Sequence, residues 1–164
     1  MTKFFLGLAI VAFTSFCGYV LTKKYRKRKS FFFQLSEFNE RFLSEISYYR
    51  RPIGEFASSY VYQGEFRVFL EDFFTELDEL SQNAETAVAF DACDFLTDEE
   101  KSVVGDYFKM LGKGDSASQK VYFSAAKEKL GKLQASAETD CKKYGDLYVK
   151  LGFLLGLLIL ILII

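Results

Sequence analysis

Apolar residues gather in two blocks at the ends of the chain and in regularly spaced stripes between them. Phe4 to Thr22 is a run of 19 uncharged residues, about 28 Å as an α-helix and enough to cross a hydrocarbon core. At the other end, 14 uncharged residues follow Lys150. Counting from Leu147 gives 18 residues, about 27 Å, if Lys150 bends its ammonium back toward the head groups. A surface helix carries a polar stripe, whereas these residues are apolar on every side. The pattern predicts two membrane-spanning helices, residues 1–22 and 147–164. Gly152 and Gly156 form a GxxxG in the second, a spacing that permits close helix approach, with the first span as its neighbour.

Between the blocks the periodicity is helical throughout. Phe31, Leu35, Phe38, Phe42, Ile46 and Tyr49 step by three and four, one face of a helix that Arg51-Pro52 ends. A short helix from Pro52 to about Tyr62 should follow, with a break near Gly64. Phe66, Phe69 or Leu70, Phe73, Leu77 and Leu80 mark a third. Asn83 is a candidate N-cap for a fourth, holding Ala84, Ala87, Val88 and Asp91. Thr97 and Glu100 have capping-box spacing and open a fifth helix to Leu111, closed by Gly112 and Gly114. Ser116 and Gln119 form a second capping-box pair. From there Tyr122, Ala126, Leu130, Leu133, Ala137, Cys141, Tyr144, Tyr148 and Leu151 recur at helical period. One helix from about Ser116 to the C-terminus is expected. The fold class is therefore all-α, a bundle of about six helices over residues 30–146 between two membrane helices.

Charge changes the picture more than composition does. The net charge is −1, yet every carboxylate lies between Glu37 and Asp146. Lys23, Lys24, Arg26, Lys27, Arg28 and Lys29 put six basic residues into the seven positions 23–29. Only Lys3 precedes the first apolar block, so the positive-inside rule makes this collar cytoplasmic, the acidic body cytosolic and both termini external. A cleaved leader is the rival reading of the first block. No A-x-A site closes it, bulky Phe16 precedes Cys17, and the basic residues downstream oppose export, so a retained anchor is expected. The collar also invites anionic-lipid contact. Phe31, Phe32 and Phe33 cannot all face one core, which leaves some for the membrane interface or a partner.

Candidate chemistry is sparse. Histidine is absent, which removes the commonest acid–base and metal-binding side chain. Cys17, Cys93 and Cys141 have no C-x-x-C spacing and read as packing residues in a reducing compartment. Asp91, Asp94, Asp98, Glu99 and Glu100 lack the pattern of a calcium loop, and acidic residues at a helix N-terminus explain the last three. Leu111 to Ser116 lacks the ending and the preceding strand of a phosphate loop. No catalytic, metal or cofactor-binding residues are expected, nor a small-molecule substrate or nucleic acid.

Leu111-Gly112-x-x-Asp115-x-x-x-Gln119, the long helix after it, and Lys150-Leu151-Gly152-Phe153-Leu154-Leu155-Gly156 together resemble the stage III sporulation protein AB family of endospore formers. The resemblance implies a non-enzymatic subunit of the channel-like apparatus linking mother cell and forespore, in the mother-cell membrane around the forespore. It further implies a cytosolic domain similar to the platform proteins of type II secretion and type IV pilus systems. Such platforms work beside a secretion-type ATPase, here the companion protein AA. A platform subunit of a secretion or pilus-like system unrelated to sporulation is the alternative.

Overall fold

The computed structural model describes residues 2–48, 53–79, 90, 93–111 and 115–163. Among them there are five helices and no strand: α1 (Thr2–Tyr48), α2 (Ile53–Ser58), α3 (Gly64–Glu79), α4 (Asp98–Lys109) and α5 (Ser116–Ile163). The helix expected around Asn83 to Asp91, the Arg51-Pro52 break and Gly112 with Gly114 lie outside the described residues. The first apolar block, the collar and the first aromatic stripe form one helix of 47 residues, about 70 Å, with no break where hydropathy changes. Lysine and arginine are good helix formers, and the backbone ladder is indifferent to which face is greasy. The last helix runs uninterrupted for 48 residues from Ser116, as its periodicity predicts.

Two expected boundaries shift. The second helix stops at Ser58 rather than near Tyr62. The hydroxyls of Ser58 and Ser59 both donate to the Glu55 carbonyl, at 3.0 and 2.7 Å, in competition with the helical ladder. The linker that follows is held by the Gln34 amide, which donates to the Gln63 carbonyl and accepts from its N–H, both at 2.8 Å. Gly64 then turns the chain into α3 with a φ of 59°, a region L side chains rarely adopt. The α5 cap lies one residue before the expected Ser116. Asp115 Oδ1 accepts the Ser118 N–H at 3.3 Å, and these hydrogen bonds hold its carboxyl below the ordinary value. The expected box on α4 is present. Thr97 Oγ1 accepts the Glu100 N–H at 3.3 Å, and Glu100 Oε2 accepts the Thr97 N–H at 3.0 Å.

The chain divides into two compact units, Met1–Lys29 with Ser136–Ile164, and Ser30–Ala135. The second unit has an aromatic core. Phe31, Leu35, Phe38 and Phe42 of α1 are buried with Phe66, Phe69 and Phe73 of α3, Tyr107 and Phe108 of α4, and Phe123 of α5. Rings meet edge to face, as in Phe42 on Phe123 (4.9 Å, 88°) and Phe73 on Phe108 (4.9 Å, 64°). That arrangement sets the positive edge of one ring against the negative face of the next. Phe31 and Phe32 are fully buried, and Phe33 turns outward. One polar node crosses the core. The Tyr107 hydroxyl donates to Asn39 Oδ1 at 3.1 Å, and Asn39 Nδ2 donates to the Phe123 carbonyl at 3.2 Å. A buried amide needs such partners, so the node ties α1, α4 and α5 in one register.

Burial pushes the Tyr107 phenol well above its ordinary value and the Cys93 thiol up to about 11. Burial disfavours the anion in both cases, so the unfolded chain gives up these protons first. Their contribution is complete below about pH 8.5 and is lost as the pH rises through the unfolded values of thiol and phenol. Unfolding free energy should fall by up to about 1.4 kcal/mol per pH unit and per group once each unfolded value is passed. Urea titrations of the full chain in micelles, followed by helical circular dichroism at about pH 8, 9.5 and 10.5, measure this. A flat profile would contradict it.

Candidate functional site: a glycine-notched helix pair with a basic belt

In the first unit the apolar ends of α1 and α5 run antiparallel and touch through glycines. A Cβ built on Gly18 would lie 2.5 Å from the Tyr148 carbonyl oxygen, and one on Gly152 would lie 2.6 Å from that of Thr14. One on Gly156 would meet Thr14 Oγ1 at 2.5 Å and Val11 Cα at 2.8 Å, and one on Gly7 would run into Leu160. Positions 7, 11, 14 and 18 step by four, three and four, so they form one seam along α1. Backbones approach where side chains are missing, which increases dispersion contact between helices. The hydroxyls beside the seam are satisfied within their own helix. Thr14 Oγ1 donates to the Ile10 carbonyl at 3.0 Å, and Thr22 Oγ1 to that of Tyr19 at 2.7 Å. Large apolar side chains point the other way: Phe13, Phe16, Leu154, Leu155, Ile161 and Leu162 are all more than half exposed. Small residues inside and large apolar ones outside invert the order of a soluble core.

Next to the seam lies a belt of tyrosines and charges. Tyr25 stacks on Tyr144 at 5.1 Å and on Tyr148 at 6.1 Å. Arg28 donates to Asp140 Oδ2 at 2.6 Å and to Ser136 Oγ at 3.4 Å, and Lys29 lies 3.8 Å from Glu138. Lys23, Lys24 and Arg26 are exposed, and Lys27 is half-buried. The Arg26 guanidinium lies over the Tyr19 ring, 5.2 Å from its centroid. The unit carries ten basic and three acidic residues, a net +7, against eleven and nineteen, a net −8, in the other unit. The collar is thus divided: Arg28 and Lys29 face α5, and Lys23, Lys24 and Arg26 face outward. With Arg28 only 13% and Asp140 35% exposed, the pair should be worth about 1 kcal/mol, at the upper end for accessible ion pairs. A double-mutant cycle of Arg28→Ala and Asp140→Ala should report that coupling and show it shrinking in about 0.5 M salt. Additive effects would remove the pair from the account.

Nothing among the described residues resembles a reaction centre. Among the described residues, no group of three or more Cys, Asp or Glu side chains is placed to hold a metal ion. Asp94, Asp98 and Glu99 are exposed, Glu100 is committed to its cap, and Asp91 lies outside the described residues. A groove of about 580 Å³ between α2 and α3 is lined by Ala57, Val61, Leu70 and Phe74. Its charged members, Arg67 and Glu71, pair with each other at 3.0 Å. Of the Leu111, Gly112, Asp115 and Gln119 block, Leu111 follows α4 half-buried and Asp115 caps α5. The Gln119 N–H makes the first turn's bond to the Asp115 carbonyl, at 3.0 Å. The block therefore starts the long helix. The sequence reading missed Gly7, Thr14 and Gly18 on the α1 side of the seam. Their spacing was a usable signal, because intervals of seven and four residues place all three on one face of a helix.

A family model described as stage III sporulation protein AB matches residues 3–164. No curated protein and no solved structure matches the chain.

Proposed function

The chain belongs to the stage III sporulation protein AB family and is a sporulation protein, and from that membership we propose that it is a non-enzymatic membrane platform subunit. In this reading α1 and α5 both cross the mother-cell membrane around the forespore, with residues 30–146 in the cytosol. The subunit works beside the secretion-type ATPase of the same apparatus, the companion protein AA. The observation that carries the reading is the inverted helix pair, with glycines within and Phe13, Phe16, Leu154 and Leu155 outside. Such a pair exposes large apolar side chains at a cost in water that a bilayer removes. One helix, α5, is long and apolar enough by itself to cross a membrane among the described residues. The charged residues nearest the apolar ends are mostly basic, which favours the cytosolic side for the belt.

The platform role is supported by what the body offers a partner: an aromatic core under a surface of net negative charge. The test is affinity purification of the tagged full chain from sporulating cells. The AA-type ATPase should be retained, and the chain should resist alkaline carbonate extraction. Accessibility labelling should find Met1 external and Ser102 cytosolic. Loss of the ATPase from a properly inserted chain would sink the platform role and leave the membrane assignment standing.

A further inference from the structure

The division of the collar has a chemical consequence. Arg28 and Lys29 are occupied by Asp140 and Glu138, so they contribute to holding the pair together. Lys23, Lys24 and Arg26 have no carboxylate partner among the described residues. Tyr19, Lys23 and Arg26 recur at intervals of four and three and share one outward stripe of α1. Arg26 bends along that stripe until its guanidinium covers the Tyr19 ring, and Lys23 lies one helical turn from each of them in sequence. On α5 the Tyr25–Tyr144 stack sets Lys143 near the level of Arg26, 5.0 Å from the Tyr144 ring centroid, while its neighbour Lys142 pairs with Glu138 at 3.4 Å. Lys150 falls between the Gly18–Tyr148 and Thr14–Gly152 contacts, about 10 Å from Lys23 along the axis. Its flexible stem can return the ammonium to the belt.

We propose that this outward belt, centred on Lys23, Lys24 and Arg26 with Tyr19 as a platform, is a binding site for the phosphate of anionic phospholipid head groups. The assignment rests on the membrane reading above. A guanidinium presents paired donors that match phosphate oxygens, and lysines add mobile point charges around it. A tyrosine ring beneath the guanidinium pre-orients it at the depth where head groups lie. Each basic residue near such a surface favours anionic over neutral lipid by about fivefold.

The test uses the full chain in phosphatidylcholine vesicles, probed with spin-labelled phosphatidylglycerol and spin-labelled phosphatidylcholine. The immobilised fraction should favour phosphatidylglycerol by about fivefold or more. Lys23→Gln, Lys24→Gln and Arg26→Gln combined should bring that preference below about twofold with unchanged helical content. Arg28→Gln should retain more than about half of it, because Arg28 is spent on Asp140. Equal preference in the wild-type chain, or equal losses in the two variants, overturns the proposal even when the chain resists carbonate extraction. Displacement of the labelled lipid by millimolar inorganic phosphate, but not by chloride at equal ionic strength, also overturns it, by assigning the cations to a soluble anion. A chain extracted by carbonate would instead fail the membrane reading itself.

Discussion

Gly152→Ile and Gly156→Ile should each separate the apolar ends of α1 and α5 and abolish spore formation. Glycine is a poor helix residue, so isoleucine by itself should favour α5 by about 0.5 kcal/mol. The contact reverses the sign. The Cβ at 152 would lie 2.6 Å from a backbone oxygen, and the Cβ at 156 would lie 2.8 Å from the Val11 Cα. Neither neighbour is the far end of a flexible side chain, so whole helices must move. Overpacking of this kind costs about 1–3 kcal/mol at each site. Gly131→Ala, on the same helix, would meet nothing within 4 Å and should be neutral or stabilising. Thermal melts of the three variants in micelles, beside spore counts from cells carrying them, make the comparison. Wild-type melting and spore yield in both isoleucine variants would show that the close approach has no consequence.

Gly145→Pro and Gly145→Ala should diverge sharply. Gly145 is buried, yet a Cβ there would meet nothing within 4 Å. Alanine should therefore gain up to about 1 kcal/mol through helix propensity alone. Proline removes the Gly145 N–H from the ladder and sets its ring against the Cys141 carbonyl, costing about 3 kcal/mol and kinking the helix. The kink would fall between two sets of contacts in one unit: Asp140 and Tyr144 on one side, Gly152 and Gly156 on the other. Both sets need a straight α5 to keep register with α1. The proline variant should lose the Arg28–Asp140 coupling and ATPase co-purification while protein levels hold. Retained co-purification in that variant would remove helix continuity from the mechanism.

The elements were legible because their causes are local. The stripe from Phe31 to Ile46, the Thr97–Glu100 box and the uninterrupted period after Ser116 each depend on residues a few positions apart. Hydropathy, however, divided the first 48 residues at the collar, where the ladder has no reason to stop. At the start of α5, Asp115 and Ser116 are both good caps and adjacent. Local preference cannot separate them, and the backbone geometry selects Asp115. The glycines of the paired ends and of α5 look alike as letters. Gly18, Gly152 and Gly156 lie against backbone, whereas a Cβ on Gly131 or Gly145 would meet nothing within 4 Å. Arg26 and Arg28 are likewise equivalent in a basic run, yet one covers a tyrosine ring on the outside and the other neutralises Asp140. Helix formation and apolar character are properties of neighbouring residues and can be read along the chain. Which glycine carries a contact, and which cation is free to meet a phosphate, depends on side chains more than a hundred residues apart. Those pairings exist only once α1 and α5 have met.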